Sequence, residues 1–165
     1  MAKFLARFAV SFEDTSFFFY AEHLIRYEDI HGDTRNEKPH NHCYRASFRV
    51  EGPLIDGCVV DFIPTQKVFK SVLSGWNGKF ILPKRLQSSK FAKSIEKDIR
   101  FIKAKNATTE EIAAVVLSEF IQRLKDEELV PKSLKRYAFT LHLEENPGCF
   151  AEVTFAKKSR YLSQR

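Results

Sequence analysis

Cysteine is scarce in this chain and has no metal-binding or redox spacing: Cys43, Cys58 and Cys149 are the three among 165 residues, and none forms a CxxC pair. That excludes a cysteine-rich zinc module, and an odd count fits reduced thiols better than a disulfide framework. No apolar run reaches the roughly 18 residues of a membrane-spanning helix. Glycine and proline number six each, with no internal repeat and no low-complexity tract, so collagen-like, linker-rich and solenoid architectures are excluded. The stretch Met1-Ala2-Lys3-Phe4-Leu5-Ala6-Arg7 has no long apolar core before a small-residue cleavage site, and a cytoplasmic location is the expectation.

What is present describes a globular protein. The composition is 44% hydrophobic and 29% charged, with 16 phenylalanines, enough to bury one good core, and a single domain over residues 1–165 is expected. The net charge of +6 raises an anionic small molecule or nucleic acid as partner. Lys and Arg are nevertheless spread along the chain, and acidic residues interrupt the patch from Lys90 to Arg100. A solvated surface follows, and neither nucleic acid nor a membrane is an expected partner. A basic insertion at 84–105 leaves contact with phosphates as a weaker reading.

Hydrophobic patterning divides the chain into strands and helices. Phe4 to Phe12 and Thr15 to His23 read as two extended runs about the polar turn Glu13-Asp14, which predicts a hairpin. The segment from Leu24 to Pro39 has no sustained period and reads as a loop. From His40 to Val50 the alternation is clean, with Tyr44, Ala46, Phe48 and Val50 on one side. Pro64 opens a helical pattern that ends near Gly75. A stronger helix runs from Thr109 to Lys125, with a Thr108 or Thr109 cap and Glu110 and Glu111 at the positive end of its dipole. Short strands are expected at Phe80 to Pro83 and Asp98 to Ile102. Two more, Tyr137 to Leu143 and Ala151 to Phe155, flank the turn Asn146-Pro147-Gly148. Antiparallel strands with two helices packed on one face make an α+β domain.

The chemistry-bearing pattern is His40-Asn41-His42 with His23 upstream. Histidines two apart on a strand point the same way, and a third from a neighbouring strand completes a set of three nitrogens. Three protein ligands with one open position is the arrangement of catalytic zinc. The plainer alternative is that a His-x-His on a strand is polar decoration of a surface or core. Cys43 points to the opposite strand face and reads as a packed thiol, while His31 and His142 read as bystanders.

Several segments together resemble a known family. Asn36-Glu37-Lys38-Pro39-His40-Asn41-His42-Cys43-Tyr44 is similar to the Cys-x-x-x-His-Gly-His-Asn-Tyr strand of the 6-pyruvoyl-tetrahydropterin synthase and 6-carboxytetrahydropterin synthase family. Ala21-Glu22-His23, Asp56-Gly57-Cys58-Val59-Val60-Asp61-Phe62, Ala107-Thr108-Thr109-Glu110 and Glu145-Asn146-Pro147 resemble further family motifs in the same order. The resemblance covers roughly residues 15 to 155. It implies the tunnelling fold, in which sheets from several subunits join into an oligomeric barrel as a trimer or a hexamer. It implies zinc (Zn2+) on His23, His40 and His42, and a pterin ligand anchored by Glu145, with Thr108 and Thr109 assisting. A carboxylate suits that anchor, because it accepts the paired N–H donors of an aminopyrimidinone. Glu144 competes with Glu145 for the assignment, and the Asn-Pro spacing favours Glu145.

The implied activity is that of a zinc-dependent pterin lyase or aldolase acting on a dihydroneopterin derivative, its triphosphate included. The chain departs from the family at the groups that move protons. The family's cysteine is Asn36, its Asp-His pair falls on Asn77-Gly78, and the glycine between the paired histidines is Asn41. An amide has no acid-base equilibrium near neutral pH. Glu37 is the candidate replacement base, since some relatives use a glutamate in place of the cysteine and cleave the side chain to a hydroxymethylpterin. The alternative is a non-catalytic tunnelling-fold oligomer that binds pterin or regulates.

Overall fold

The computed structural model describes residues 8–25 and 38–156. Its spine is β3 (His40–Gly52), whose inward alternation of Tyr44, Ala46, Phe48 and Val50 is buried as the sequence pattern requires. Both β1 (Phe8–Phe12) and β2 (Phe18–His23) pair antiparallel with β3, β1 reaching Phe12↔Phe48 and β2 resuming at Phe18↔Arg45. The expected hairpin is therefore corrected. β1 and β2 do not pair with each other; they form one long path along β3, interrupted by a loop-out at 13–17.

Local polar bonds explain that loop-out. Asp14 Oδ1 accepts from the Ser16 amide at 2.7 Å and from its hydroxyl at 2.6 Å, and the Phe17 amide donates to the Asp14 carbonyl at 2.9 Å. The turn closes on itself without reversing the chain. Phe12 and Phe17 on either side both enter the core, with ring centroids 4.3 and 6.1 Å from Phe48. A hairpin would have separated these rings, so burial of Phe17 favours the continuous path.

The sheet order is β5-β4-β2-β3-β6-β7, with β1 beside β3. β6 (Ala138–Asn146) and β7 (Cys149–Ala156) continue the antiparallel part. β4 (Lys79–Pro83) and β5 (Ile99–Ile102) differ from the expected antiparallel sheet, because β4 lies parallel to β2 and β5 parallel to β4. Parallel neighbours need crossover connections. Residues 84–98 supply one, through a 3₁₀ turn at Lys84–Leu86 and a short helix α2 (Lys90–Lys93). The basic insertion is thus the crossover that builds a sheet edge, over a small core of Leu24, Phe80, Leu82, Leu86 and Ala92.

The two main helices lie on one face, as expected. α1 (Phe62–Ser74) starts two residues before Pro64, because Asp61 caps it by accepting from the Ile63 amide at 3.1 Å. α3 (Thr109–Asp126) is capped by Thr108. Phe48 of the sheet, Phe69 of α1 and Phe120 of α3 meet with centroid separations of 4.2, 4.6 and 5.0 Å, tying both helices to β3. This packing holds the start of α3 against the ends of β2, β3 and β6. No helix among the described residues is long and apolar enough to cross a membrane.

Candidate metal centre

Strand register brings the three histidines together. His23 ends β2 directly opposite His40, which begins β3, and His42 lies opposite Ala21. Their ring centroids are 4.5, 4.7 and 5.1 Å apart. His23 is fully buried. Glu145 joins them from β6, and the four side chains place one ligand atom each within 4.8 Å of the others.

Neighbouring carbonyls set which nitrogen of each ring faces inward. His23 Nδ1 donates to the Ala107 carbonyl at 2.6 Å, and His40 Nδ1 donates to the Lys38 carbonyl at 2.8 Å. Each bond leaves Nε2 as the inward-facing nitrogen. Those two Nε2 atoms lie 3.0 Å apart. Two lone pairs at that distance repel unless a proton or a cation sits beside them. His42 Nε2 is buried and makes no hydrogen bond among the described residues. Rings anchored through Nδ1, converging Nε2 atoms and an orphaned buried nitrogen together fit a metal ion that takes nitrogen and oxygen donors.

Glu145 completes the cluster. Its Oε1 lies 3.1 Å from both His23 Nε2 and His42 Nε2, while Oε2 accepts from the Thr109 hydroxyl at 2.7 Å. Tyr44 O–H reaches Oε1 at 3.4 Å. The hydrogen bond with His23, then that from Thr109 and the histidine charges, hold the Glu145 carboxyl down to about 2 against the opposing effect of burial. Burial lowers the His42 imidazole below its usual value, helped by His23 and His40 and opposed by Glu145. Burial also raises the Tyr44 phenol, and the neighbouring Glu145 charge raises it further. Tyr44 is thus a neutral hydrogen-bond donor at the floor of the site.

The remaining candidates separate clearly. Thr109 reaches the cluster, whereas Thr108 is spent on the helix cap, its hydroxyl accepting from the Glu111 amide at 3.5 Å. Glu144 accepts from the Gly148 amide at 3.0 Å and braces the β6–β7 turn, so the carboxylate facing the histidines is Glu145. Its inward direction continues the alternation of Leu141 and Leu143. Asn77 and Gly78 act on backbone: Asn77 Oδ1 accepts from the Tyr20 amide at 2.9 Å, and the Gly78 amide donates to the Tyr20 carbonyl at 2.7 Å. Gly78 makes this contact at φ +73°, a conformation that favours glycine. His142 packs on Phe150 at 4.1 Å, away from the site. Cys43 is half-buried on the opposite sheet face, beside an open cavity of about 890 Å³. Asn36, Glu37 and His31 lie outside the described residues.

Sequence reasoning missed three contributors: the Ala107 and Lys38 carbonyls and the Tyr44 hydroxyl. Tyr44 could have been found, since it lies two residues after His42 on the same strand face. The carbonyls carry no side-chain signal.

Residues 14–155 match the sequence profile of 6-pyruvoyl tetrahydropterin synthase. No curated protein matches the sequence. Among solved structures, the Plasmodium falciparum 6-pyruvoyl tetrahydropterin synthase superposes with a TM-score of 0.73 at 24% identity, covering 93% of this chain and 100% of that one. The Plasmodium vivax protein of the same name gives 0.74 at 22% identity, covering 92% and 99%. Two further structures of the P. vivax protein carry alanine or cysteine in place of a catalytic glutamate. The Caenorhabditis elegans synthase gives 0.58 at 17% identity, covering 93% and 98%. At these identities the structural likeness establishes the fold alone.

Proposed function

The chain belongs to the 6-pyruvoyl tetrahydropterin synthase family, and from that premise we propose that it is a zinc-dependent lyase or aldolase acting on the side chain of a dihydroneopterin derivative. The observation that carries this reading is the convergence of His23 and His40 Nε2, each ring held by an Nδ1–H bond to a backbone carbonyl. In this reading His23, His40 and His42 hold the metal. Zinc, when bound, polarises substrate oxygens and acidifies the protons nearby.

The chain's own residues supply binding and proton movement. Glu145 accepts the paired N–H donors of the aminopyrimidinone ring, in a pocket whose wall includes the start of α3 at Thr108 and Thr109. Tyr44, kept protonated, donates toward the carboxylate and steadies it. Glu37 is the proposed general base. It immediately precedes Lys38, whose carbonyl orients His40, and the P. vivax enzyme likewise carries a catalytic glutamate. Desolvation makes a carboxylate take up a proton more readily than in bulk solvent, while a nearby cation opposes that, so Glu37 would serve as base if desolvation prevails. Assembly as a trimer or hexamer belongs to the same proposal. The β7 edge, paired only with β6 among the described residues and bearing exposed Phe150 and Phe155, is compatible with sheet-to-sheet joining.

A second reading, a pterin-binding or regulatory oligomer without turnover, is favoured by the corner at Asn77 and Gly78. There the family's acid-base pair is replaced by groups committed to Tyr20 backbone. The two readings part on one experiment: metal analysis of the purified protein, then incubation with dihydroneopterin triphosphate and with dihydroneopterin, with products detected by mass. A hydroxymethylpterin or pyruvoyl product that disappears in Glu37→Gln supports the enzyme. Stoichiometric metal and bound pterin without product support the binding module. Product formation that survives Glu37→Gln removes Glu37 as base.

A further inference from the structure

We propose that Glu145 is a fourth metal ligand in the pterin-free protein and leaves the metal when a pterin ring binds, so that the site opens only when occupied. This rests on the metal-binding reading above and extends it from three histidines to a histidine-carboxylate set.

The geometry of a single oxygen carries the inference. Glu145 Oε1 is 3.1 Å from His23 Nε2 and 3.1 Å from His42 Nε2, and the His23 and His40 Nε2 atoms are 3.0 Å apart. Ligands held roughly 2.0–2.1 Å from a tetrahedral zinc lie about 3.3 Å from one another. Oε1 therefore sits at the spacing of a fourth ligand rather than at the edge of a cavity. Two further contacts hold it there: Thr109 takes Oε2 at 2.7 Å, and Tyr44 approaches Oε1 at 3.4 Å. The Oε1 contact to His42 does not satisfy that ring's buried Nε2 as a hydrogen bond. A shared cation would satisfy both atoms at once.

The same carboxylate cannot serve both tasks in this pose. Anchoring an aminopyrimidinone uses both oxygens side by side along a ring edge. Here one oxygen points into the histidine cluster and the other is engaged by Thr109. Binding the ring requires the carboxylate to turn, which withdraws Oε1 from the histidines and frees a coordination position. A metal with four protein ligands is closed, and one with three is open to substrate. Exchange of Glu145 would couple the two states to ring recognition.

Cobalt(II) is the probe, because the position and intensity of its visible bands report both the number and the kind of its ligands. Wild type loaded with one equivalent should show the intense bands of a four-coordinate ion. Glu145→Gln, nearly isosteric, should shift those bands, because water or the neutral amide takes the fourth position, and should bind cobalt about 10–100-fold more weakly in chelator competition. Glu145→Ala should do the same, and circular dichroism of both variants reports whether the fold is kept. Adding neopterin should move the wild-type spectrum toward that of the variants. Unchanged affinity and bands in a folded variant would overturn Glu145 as ligand. Neopterin binding that leaves the wild-type bands intact would overturn the exchange. Failure of wild type to take up cobalt would remove the metal reading and this inference with it.

Discussion

Two polar corners along β2 differ in what their groups are doing. At His23, the last residue of the strand, two imidazoles are steered by carbonyls so that their Nε2 atoms face each other, and a carboxylate stands 3.1 Å from His23. At Tyr20, three positions earlier, Asn77 and Gly78 spend their hydrogen-bonding capacity on the strand backbone. The first corner buries a polar atom, His42 Nε2, that makes no hydrogen bond among the described residues. The second is already satisfied. Because burying an unpaired polar group costs free energy, the His23 corner is where a ligand gains most by binding, and the Asn77 corner is structural support.

Substitutions can break this contrast, beginning with the largest effect. His23→Ala removes a proposed metal ligand and leaves the buried Ala107 carbonyl without its donor. Metal affinity should fall by more than about 100-fold, and the metal-free protein should lose about 1–3 kcal/mol, measured by chelator competition and urea denaturation. Next, Asn77→Ala or Gly78→Ala should each cost about 1 kcal/mol, the first through the Tyr20 amide and the second through its positive φ. Neither should change metal affinity by more than about twofold, as expected for sites without shared partners. A large drop in affinity in Asn77→Ala would dissolve the distinction between the two corners.

Thr109→Val tests a smaller link. It removes the hydroxyl on Glu145 Oε2 while keeping the side chain's shape. Because that hydroxyl orients the carboxylate, metal affinity should weaken by a few-fold, less than in the Glu145 variants, as titration calorimetry would record. The smallest effect concerns acid. The Glu145 carboxyl is held at about 2 in the folded protein against an ordinary value of 4.5. Its ionised form is favoured by folding, so its contribution to stability is present above about pH 4.5 and is lost as pH falls toward 2. Stability of metal-free Glu145→Gln, followed by urea denaturation, should decline less steeply across that window than wild type.

Much of this was readable from residues alone, for a local reason. Strand alternation is a property of the backbone, so His40, His42 and Tyr44 had to share a face once 40–50 was a strand. The caps at the start of α3 and the turn at Asn146-Pro147-Gly148 were legible because capping and turn chemistry act over a few residues. Glu13-Asp14 has the composition of a reversing turn, so residue order alone predicts a hairpin where the chain continues along β3. Only the competition for core space around Phe48 decides that Phe17 must return to the same strand. The parallel placement of β4 and β5 was likewise invisible, since strand direction in a sheet depends on long-range crossovers rather than on composition.

Sequence by itself determined the family, the α+β elements, the histidine trio and the departures at Asn36, Asn77 and Gly78, because motifs and periodicity are written in residue order. Tertiary structure decided what those residues do to one another. Register across β2 and β3 faces two Nε2 atoms at 3.0 Å. Packing of α3 supplies the Ala107 carbonyl that selects the His23 tautomer, and the β6 alternation sends Glu145 rather than Glu144 to the cluster. Hydrogen bonds and coordination are matters of fractions of an ångström between atoms distant in sequence, and only the folded chain brings those atoms within reach.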